Sequence, residues 1–286
     1  MKNNKLTTGP IGIFDSGFGG LEIAKYIAKK LPQYDFIYLG DTARTPYGSR
    51  SQEVIFNFTG QAVEFLLKQS CPLIILACNT ASSEALRKIQ QEFASPKVLG
   101  VIIPAVEEAV ALTKNNRVGV IATEGTVNSG AFTREIKKRN PKVKVFSKAC
   151  PLLVPIVEAG EHNSEISKIV LQKYLNPLLA KKIDTLILGC THYGILEKQI
   201  KEILRQSSRL HQDFGGQAGQ VVQVISEGKV VAQKLADYLQ RHTEIEKQLS
   251  KKSQRVFLTT DLTDKFQILG TQFFGKKISP EKISLE

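Results

Sequence analysis

The sequence predicts an α/β protein of two pseudo-symmetric domains, each a parallel sheet flanked by helices, with the active site in the interdomain cleft. Short apolar runs alternate with stretches of helical periodicity along the whole chain, the pattern of parallel strands joined by right-handed crossovers. Two of these runs end at a cysteine: Leu73 to Ala77 leads into Cys78-Asn79-Thr80, and Thr185 to Leu188 leads through Gly189 into Cys190-Thr191-His192. The two cysteines are 112 positions apart, and Ile11-Gly12-Ile13-Phe14-Asp15-Ser16 resembles Val118-Gly119-Val120-Ile121-Ala122-Thr123 at an offset of 107, so the spacing points to a duplicated unit.

In chain order, Ile11 to Phe14 reads as a strand, Asp15 to Gly20 as a glycine-rich turn, and Leu21 onward as a helix stopped by Pro32. A strand at Phe36 to Leu39 precedes the polar loop Gly40 to Arg50, which holds Asp41, Arg44 and Pro46-Tyr47-Gly48. Ser51 is placed to cap a long helix whose Val54, Ile55, Phe58, Ala62, Phe65 and Leu66 keep one apolar face. The strand to Cys78, a helix carrying Ala85, Leu86, Ile89 and Phe93, and a strand Val98 to Ile102 complete the first unit.

Pro104 suits a first helical position, so the chain is expected to enter its second half there. A helix Ala105 to Leu112 leads to a strand Val118 to Ile121 and then to a turn holding Thr123, Glu124, Thr126, Asn128 and Ser129. Val143 to Phe146 reads as a strand, Pro151 to Gly160 carries Glu158, and Ser164 is placed to cap a helix Glu165 to Leu175. Thr185 to Leu188 is β-branched and too short for a helix, hence a buried strand, and Leu196, Ile200, Ile203 and Leu204 continue as a helix.

Gly215, Gly216 and Gly219 mark a linker back to the first half, which gives domains of 1–103 with 214–286 and of 104–213. Val221 to Ile225 reads as a strand, Glu227 to Leu239 as a helix, Arg241 to Arg255 as a loop or frayed helix, Val256 to Leu258 as a strand and Thr263 to Phe274 as a helix. In open α/β sheets ligands bind beyond the carboxyl ends of the strands, which is where both cysteines stand.

A length of 286 residues with 42% hydrophobic and 23% charged content is that of a globular protein with a substantial core. No apolar stretch approaches the roughly 18 residues of a membrane span, and Asp15 interrupts the first apolar run before a secretory segment can form, so a cytoplasmic protein is expected. Four cysteines, Cys71, Cys78, Cys150 and Cys190, are too few to act as staples and read as reduced thiols. The net charge of +12 fits a lysine-rich solvated surface, and an anionic substrate suits it; nucleic acid is the less favoured partner.

The turn Asp15-Ser16-Gly17-Phe18-Gly19-Gly20 lacks the third glycine of a dinucleotide fingerprint, where Glu22 stands, and no Gly-Lys-Ser/Thr closes it. Its backbone N–H groups at a helix start suit a carboxylate. A cysteine at a helix amino end can have its pKa drawn from about 8.5 toward neutrality, so Cys78 and Cys190 read as two candidate bases. Cys190 and His192 have no partners at zinc-ligand spacing, and no Gly-x-Ser-x-Gly elbow is present, so neither a metal nor a serine triad is expected. Cys71 and Cys150, each followed by proline, read as structural, and His162, His211 and His242 as surface histidines.

Taken together, Phe14-Asp15-Ser16-Gly17-x-Gly19-Gly20-Leu21, Gly40-Asp41, Pro46-Tyr47-Gly48, Ala77-Cys78-Asn79-Thr80-Ala81-Ser82, Ala122-Thr123-x-Gly125-Thr126 and Gly189-Cys190-Thr191-His192-Tyr193 closely resemble the glutamate racemases, from about Ile11 to Leu239 with a weaker echo at Phe257 to Phe274. Gly194 stands where that family usually has proline, and Phe18 and Phe132 stand where valine and tyrosine are expected. The resemblance implies a cofactor-independent isomerase acting at Cα of glutamate, supplying D-glutamate for bacterial peptidoglycan and cell shape, as a homodimer. Pyridoxal phosphate is not expected.

By the same match, Cys78 deprotonates D-glutamate and Cys190 L-glutamate, with Asp15 and His192 assisting their respective thiols and Glu158 joining on the Cys190 side. Ser16, Tyr47, Gly48, Asn79, Thr80, Thr191 and His192 hold the ionic groups of the substrate, joined by Thr123 and Thr126 and, within the same motifs, by Asp15 and Pro46. Removing a proton from one face and returning one to the other suits a thiolate opposite a thiol. The rivals are an aspartate racemase, with a pocket for a shorter acid, and a DNA- or gyrase-associated protein on the same scaffold.

Overall fold

A computed structural model describes residues 8–213 and 221–285, with backbone alone at 208–213. The linker glycines Gly215, Gly216 and Gly219 and the side chain of His211 lie outside the described residues. In chain order the strands are β1 (Ile11–Asp15), β2 (Phe36–Gly40), β3 (Leu73–Leu76), β4 (Lys97–Gly100), β5 (Arg117–Ala122), β6 (Lys144–Ala149), β7 (Thr185–Gly189), β8 (Gln223–Ile225), β9 (Arg255–Thr259) and β10 (Glu281–Lys282).

The chain forms two compact units, Met1–Val101 with Val231–Glu286, and Ile102–Val230. In the first unit six strands pair in the order β10-β9-β2-β1-β3-β4, and in the second four strands pair as β6-β5-β7-β8. Every neighbouring pair is parallel. The order β2-β1-β3-β4 repeats as β6-β5-β7-β8. The duplication therefore extends to winding direction, and β9 and β10 are additions on the β2 edge. Winding reverses between β1 and β3, and again between β5 and β7. Such reversal points open the sheet edge for ligands, and Cys78 follows β3 as Cys190 follows β7.

The strands that lead to the cysteines are almost wholly apolar, as suits strands of a parallel sheet covered on both faces. Leu73–Leu76 and Thr185–Gly189 are buried along their whole length. Phe14, Leu39, Ile55, Leu66, Leu76 and Ile89 form the core of the first unit, and Val106, Val118, Val120, Phe132, Ile136 and Ile187 that of the second. Each such side chain removed from water contributes roughly 1.5–3 kcal/mol.

Helix starts follow their caps. Ser51 accepts from the Val54 amide at 3.4 Å ahead of Gln52–Lys68, Ser164 from the Ser167 amide at 3.2 Å ahead of Glu165–Leu179, and Thr263 from the Phe266 amide at 3.2 Å ahead of Asp264–Phe274. Each cap contributes about 1 kcal/mol.

Several boundaries differ from expectation. The helix of Pro104 begins at Ile102, so Pro104 is its third residue and the preceding strand ends at Gly100. First-turn amides have no intrahelical partner, so proline is tolerated there too. The return to the first unit falls at Val231, inside the helix Glu227–Arg241, and not near residue 214. The reason is β8: Gln223, Val224 and Ile225 pair with Thr185, Leu186 and Ile187, which keeps this strand in the second sheet. The polar stretch after Arg241 contains a short helix, Thr243–Glu246, and β10 was not anticipated because Glu281–Lys282 is exposed and charged. Of the histidines expected at the surface, His162 and His242 are half-buried, His242 with its ring 4.1 Å from that of Tyr238. All four cysteines are buried free thiols. Among the described residues, no helix is long and apolar enough to cross a membrane.

Candidate active site

The structure supplies two half-sites, one at each winding reversal. In the first, β1 ends at Asp15, fully buried, whose Oδ2 accepts from the Gly17 amide at 2.9 Å. The turn has to stay close to this carboxylate, because a Cβ at Gly20 would lie 2.6 Å from that of Asp15. Cys78 stands immediately before the short helix Asn79–Glu84, and its thiol donates to Ser16 Oγ at 3.3 Å. Asn79 and Thr80 are buried beside it.

The helix start does not lower the Cys78 pKa as expected. It is pushed up to about 11, first by burial and second by the negative charge of Asp15, against hydrogen bonds from the Ser16 hydroxyl and from the Ala81 and Ser16 amides that favour the thiolate. A helix of six residues brings too little positive potential to outweigh these two effects.

The loop after β2 is drawn in toward this half-site by Asp41. Fully buried, Asp41 donates its amide to Asp15 O at 3.0 Å. Its Oδ2 accepts from Arg44 Nε at 2.7 Å and from the Tyr47 hydroxyl, and its Oδ1 from the Thr260 hydroxyl at 2.9 Å. Tyr47 is only 1% exposed and its ring packs against Phe14 and Phe58. The Tyr47 side chain is thus a pillar of the loop, while Pro46 is exposed and Gly48 partly so. Arg44 lies over the Phe58 ring at 4.1 Å.

In the second half-site, Cys190 precedes a 3-10 turn, Thr191–Leu196, ahead of the longer helix Glu197–Asp213. Cys190 Sγ is 4.0 Å from His192 Nδ1, and His192 Nε2 is 3.4 Å from Glu158 Oε1. The three side chains lie in a row from carboxylate to thiol. Glu158 is the last residue of the helix Leu153–Glu158. Tyr193, fully buried, ties the turn to this segment by donating to Cys150 O at 2.9 Å. Thr123 caps Glu124–Asn128, accepting from the Thr126 amide and donating to Thr126 Oγ1 at 3.0 Å. Thr191 is buried, Thr126 fully so, and Thr123 is half-exposed.

Every sequence-derived candidate therefore lies in one half-site or the other: Asp15, Ser16, Pro46, Tyr47, Gly48, Cys78, Asn79 and Thr80 in the first, Thr123, Thr126, Glu158, Cys190, Thr191 and His192 in the second. Cys71 and Cys150 are fully buried, their thiols pushed up to about 12 by burial. Phe18 packs on Phe266 and Phe273, and Phe132 on Gly189, where a Cβ would lie 2.8 Å from its ring. Thr260 is the residue the sequence does not reveal, since nothing local joins it to Asp41, 219 positions away. No cluster of metal-ligating side chains occurs among the described residues.

The chain matches the family model of Asp/Glu/Hydantoin racemase over residues 22–233. A glutamate racemase of Geobacter metallireducens is 39% identical over 277 residues, covering 96% of this chain and 97% of that protein. One of Bacillus cereus is 40% identical over 272 residues, 95% of each. The solved structure of a Francisella tularensis glutamate racemase in complex with D-glutamate aligns with a TM-score of 0.85 at 36% identity, covering 98% of both chains.

Proposed function

Since the chain belongs to the Asp/Glu/hydantoin racemase family, we propose that it interconverts L- and D-glutamate by proton transfer at Cα between two cysteines, without a cofactor. The observation that carries this reading is the repetition of a buried cysteine at equivalent strand ends, Cys78 after β3 and Cys190 after β7. Racemisation needs a base on one face of the substrate and an acid on the other, and a thiol can be either.

In the L-to-D direction the Cys190 thiolate takes the Cα proton, and the electron pair left on Cα spreads into the α-carboxylate. The Cys78 thiol then delivers its proton to the opposite face. The reverse direction exchanges the roles. With its pKa near 11, Cys78 is a neutral thiol at physiological pH, ready to act as the acid. To act as base it must lose that proton, and the α-ammonium of a bound amino acid offsets the negative charge of Asp15 that opposes the thiolate. On the other side, His192 lies between Glu158 and Cys190 and is placed to relay a proton to and from the thiol.

The polar set suits an acidic amino acid: amides of the Asp15–Gly20 turn and hydroxyl or amide groups of Ser16, Asn79, Thr80, Thr123 and Thr191 for its carboxylates, Asp15 for its ammonium. We assign the D-glutamate formed to peptidoglycan synthesis. Turnover of both enantiomers of glutamate and of aspartate tests the substrate, and a preference for aspartate sinks the assignment. In deuterated water the product should gain deuterium at Cα early while remaining substrate gains almost none; equal labelling of both would mean one shared base. Rescue of a D-glutamate-requiring bacterium by the expressed chain tests the cell-wall role.

A further inference from the structure

We propose that Thr260 is a positioning residue for the loop 41–48 and, through it, for substrate binding at the first half-site. This rests on the proposed function for the part that concerns substrate. The loop carries Tyr47 and Gly48, and its fold depends on Asp41, the common acceptor of Arg44, Tyr47 and Thr260. Of those three donors, only Thr260 comes from outside the loop.

The Thr260 hydroxyl is used in both directions, donating to Asp41 Oδ1 at 2.9 Å and accepting from the Ala43 amide at 2.9 Å. The Thr260 amide donates to Gly40 O at 3.1 Å. Beside it, Thr42 Oγ1 lies 2.6 Å from Thr259 Oγ1 and 2.8 Å from Asp261 O, and accepts from the Asp261 amide at 2.9 Å. Three consecutive residues after or at the end of β9 thus grip three consecutive residues of the loop. β9 has no counterpart in the second sheet, so the repeated unit alone does not supply this grip.

A comparison within the same strand pair separates positioning from stability. β2 and β9 run side by side from Phe36↔Arg255 to Gly40↔Thr259, and a carboxylate flanks β2 at each end. Asp35 accepts from the Lys252 and Gln254 amides, each at 2.8 Å, at the strand start; Asp41 holds Thr260 at the strand end. Both fasten β9, but only the second fastening reaches the loop.

The test compares Thr260→Val, Thr260→Ser and Asp35→Ala with the unaltered protein by steady-state turnover of glutamate, thermal unfolding and hydrogen exchange over 41–48. Valine keeps the shape and removes both hydrogen bonds, so KM should rise about tenfold with a smaller fall in kcat, and exchange in the loop should quicken. Serine should restore both within about twofold. Asp35→Ala should lower the unfolding temperature while leaving KM and loop exchange unchanged. Unchanged KM and exchange in Thr260→Val, or an equal defect in Thr260→Ser, overturns the inference. Should Thr260→Val fail to fold, exchange in the unaltered protein decides: the Ala43 amide should be protected like those of β2, and exchange at the rate of an open chain overturns it. If glutamate is not turned over at all, the proposed function falls, and loop exchange alone still decides the role of Thr260.

Discussion

Asp15 and Ala122 close equivalent strands of the two sheets, and only Asp15 carries a charge. Each is followed by a hydroxyl residue, Ser16 or Thr123, and each strand lies beside the one that leads to a cysteine. The repeat therefore preserved the scaffold and the thiol but not the group that tunes it. The first copy has Asp15 and, after its cysteine, Asn79-Thr80; the second has Ala122 and Thr191-His192, with Glu158 behind the histidine. A racemase must present different partners to a substrate held one way round, so loss of symmetry in the auxiliary groups is what the proposed reaction demands.

Asp15→Asn should lower the Cys78 pKa from about 11, because the second-largest cause of its elevation is the Asp15 charge. Burial remains, so the value should stay above that of a free cysteine. Peptide-resolved alkylation by iodoacetamide between pH 7 and 11 reads the thiolate directly. An unchanged profile would show that Asp15 does not act on Cys78 electrostatically, whatever happens to turnover.

Glu158→Gln should reduce kcat by roughly ten- to a hundredfold, within the range of a general acid–base contribution, and by less than His192→Ala. The carboxylate lies 3.4 Å from His192 Nε2, whose Nδ1 is 4.0 Å from Cys190 Sγ. Glutamine keeps the size and removes the carboxylate charge beside His192. Wild-type rates in a folded Glu158→Gln protein would remove Glu158 from the relay.

Strand ends and cysteines were legible because both are local: an apolar run of four or five residues that stops at a polar turn has few alternatives in a chain that alternates strands with helices. What escaped is non-local. The sequence shows Asp41 in a polar loop but not Thr260 against it, and it shows Val221 to Ile225 as a strand but not that β7 pairs with its last three residues. The sign of the Cys78 shift escaped for the same reason, since burial and Asp15 come from the folded surroundings and outweigh a local helix-end effect. Cys190 was placed correctly at a strand end, but the turn after it is 3-10 before it is α.

Asp184→Ala should cost about 1–3 kcal/mol of stability and leave the substrate specificity unchanged. Burial pushes the Asp184 carboxyl up, but hydrogen bonds from Thr113, Asn115, Lys114 and Thr185 outweigh it and hold the pKa below the usual carboxylate value. The Thr113 hydroxyl donates at 2.6 Å and the Lys114 and Asn115 amides at 2.6 and 2.7 Å, so alanine leaves three part-buried donors without this acceptor. A depressed folded pKa means that the contribution is present above the ordinary carboxylate range and is lost as pH falls through the depressed value. Urea unfolding of both proteins at pH 7 and pH 3 should show the gap narrowing in acid; a constant gap contradicts the assignment.

Alkaline pH should destabilise the chain through its buried thiols, and the direction follows from which state holds protons more tightly. Burial raises Cys71 and Cys150 to about 12, and burial with Asp15 raises Cys78 to about 11, all from 9.0. The unfolded chain therefore loses these protons first, so above about pH 9 it binds fewer protons than the folded state and stability declines. The contribution is fully present below pH 9 and is lost as pH rises through 11 to 12. Each thiol adds at most about 1.4 kcal/mol per pH unit to that slope. Replacing Cys71 with alanine leaves a small cavity, which lowers stability at every pH, but it also removes one titrating group. Urea midpoints at pH 8, 9 and 10 should thus fall less steeply for Cys71→Ala than for the unaltered protein, even though they start lower. Parallel slopes would mean that Cys71 ionises as readily folded as unfolded, which its burial does not allow.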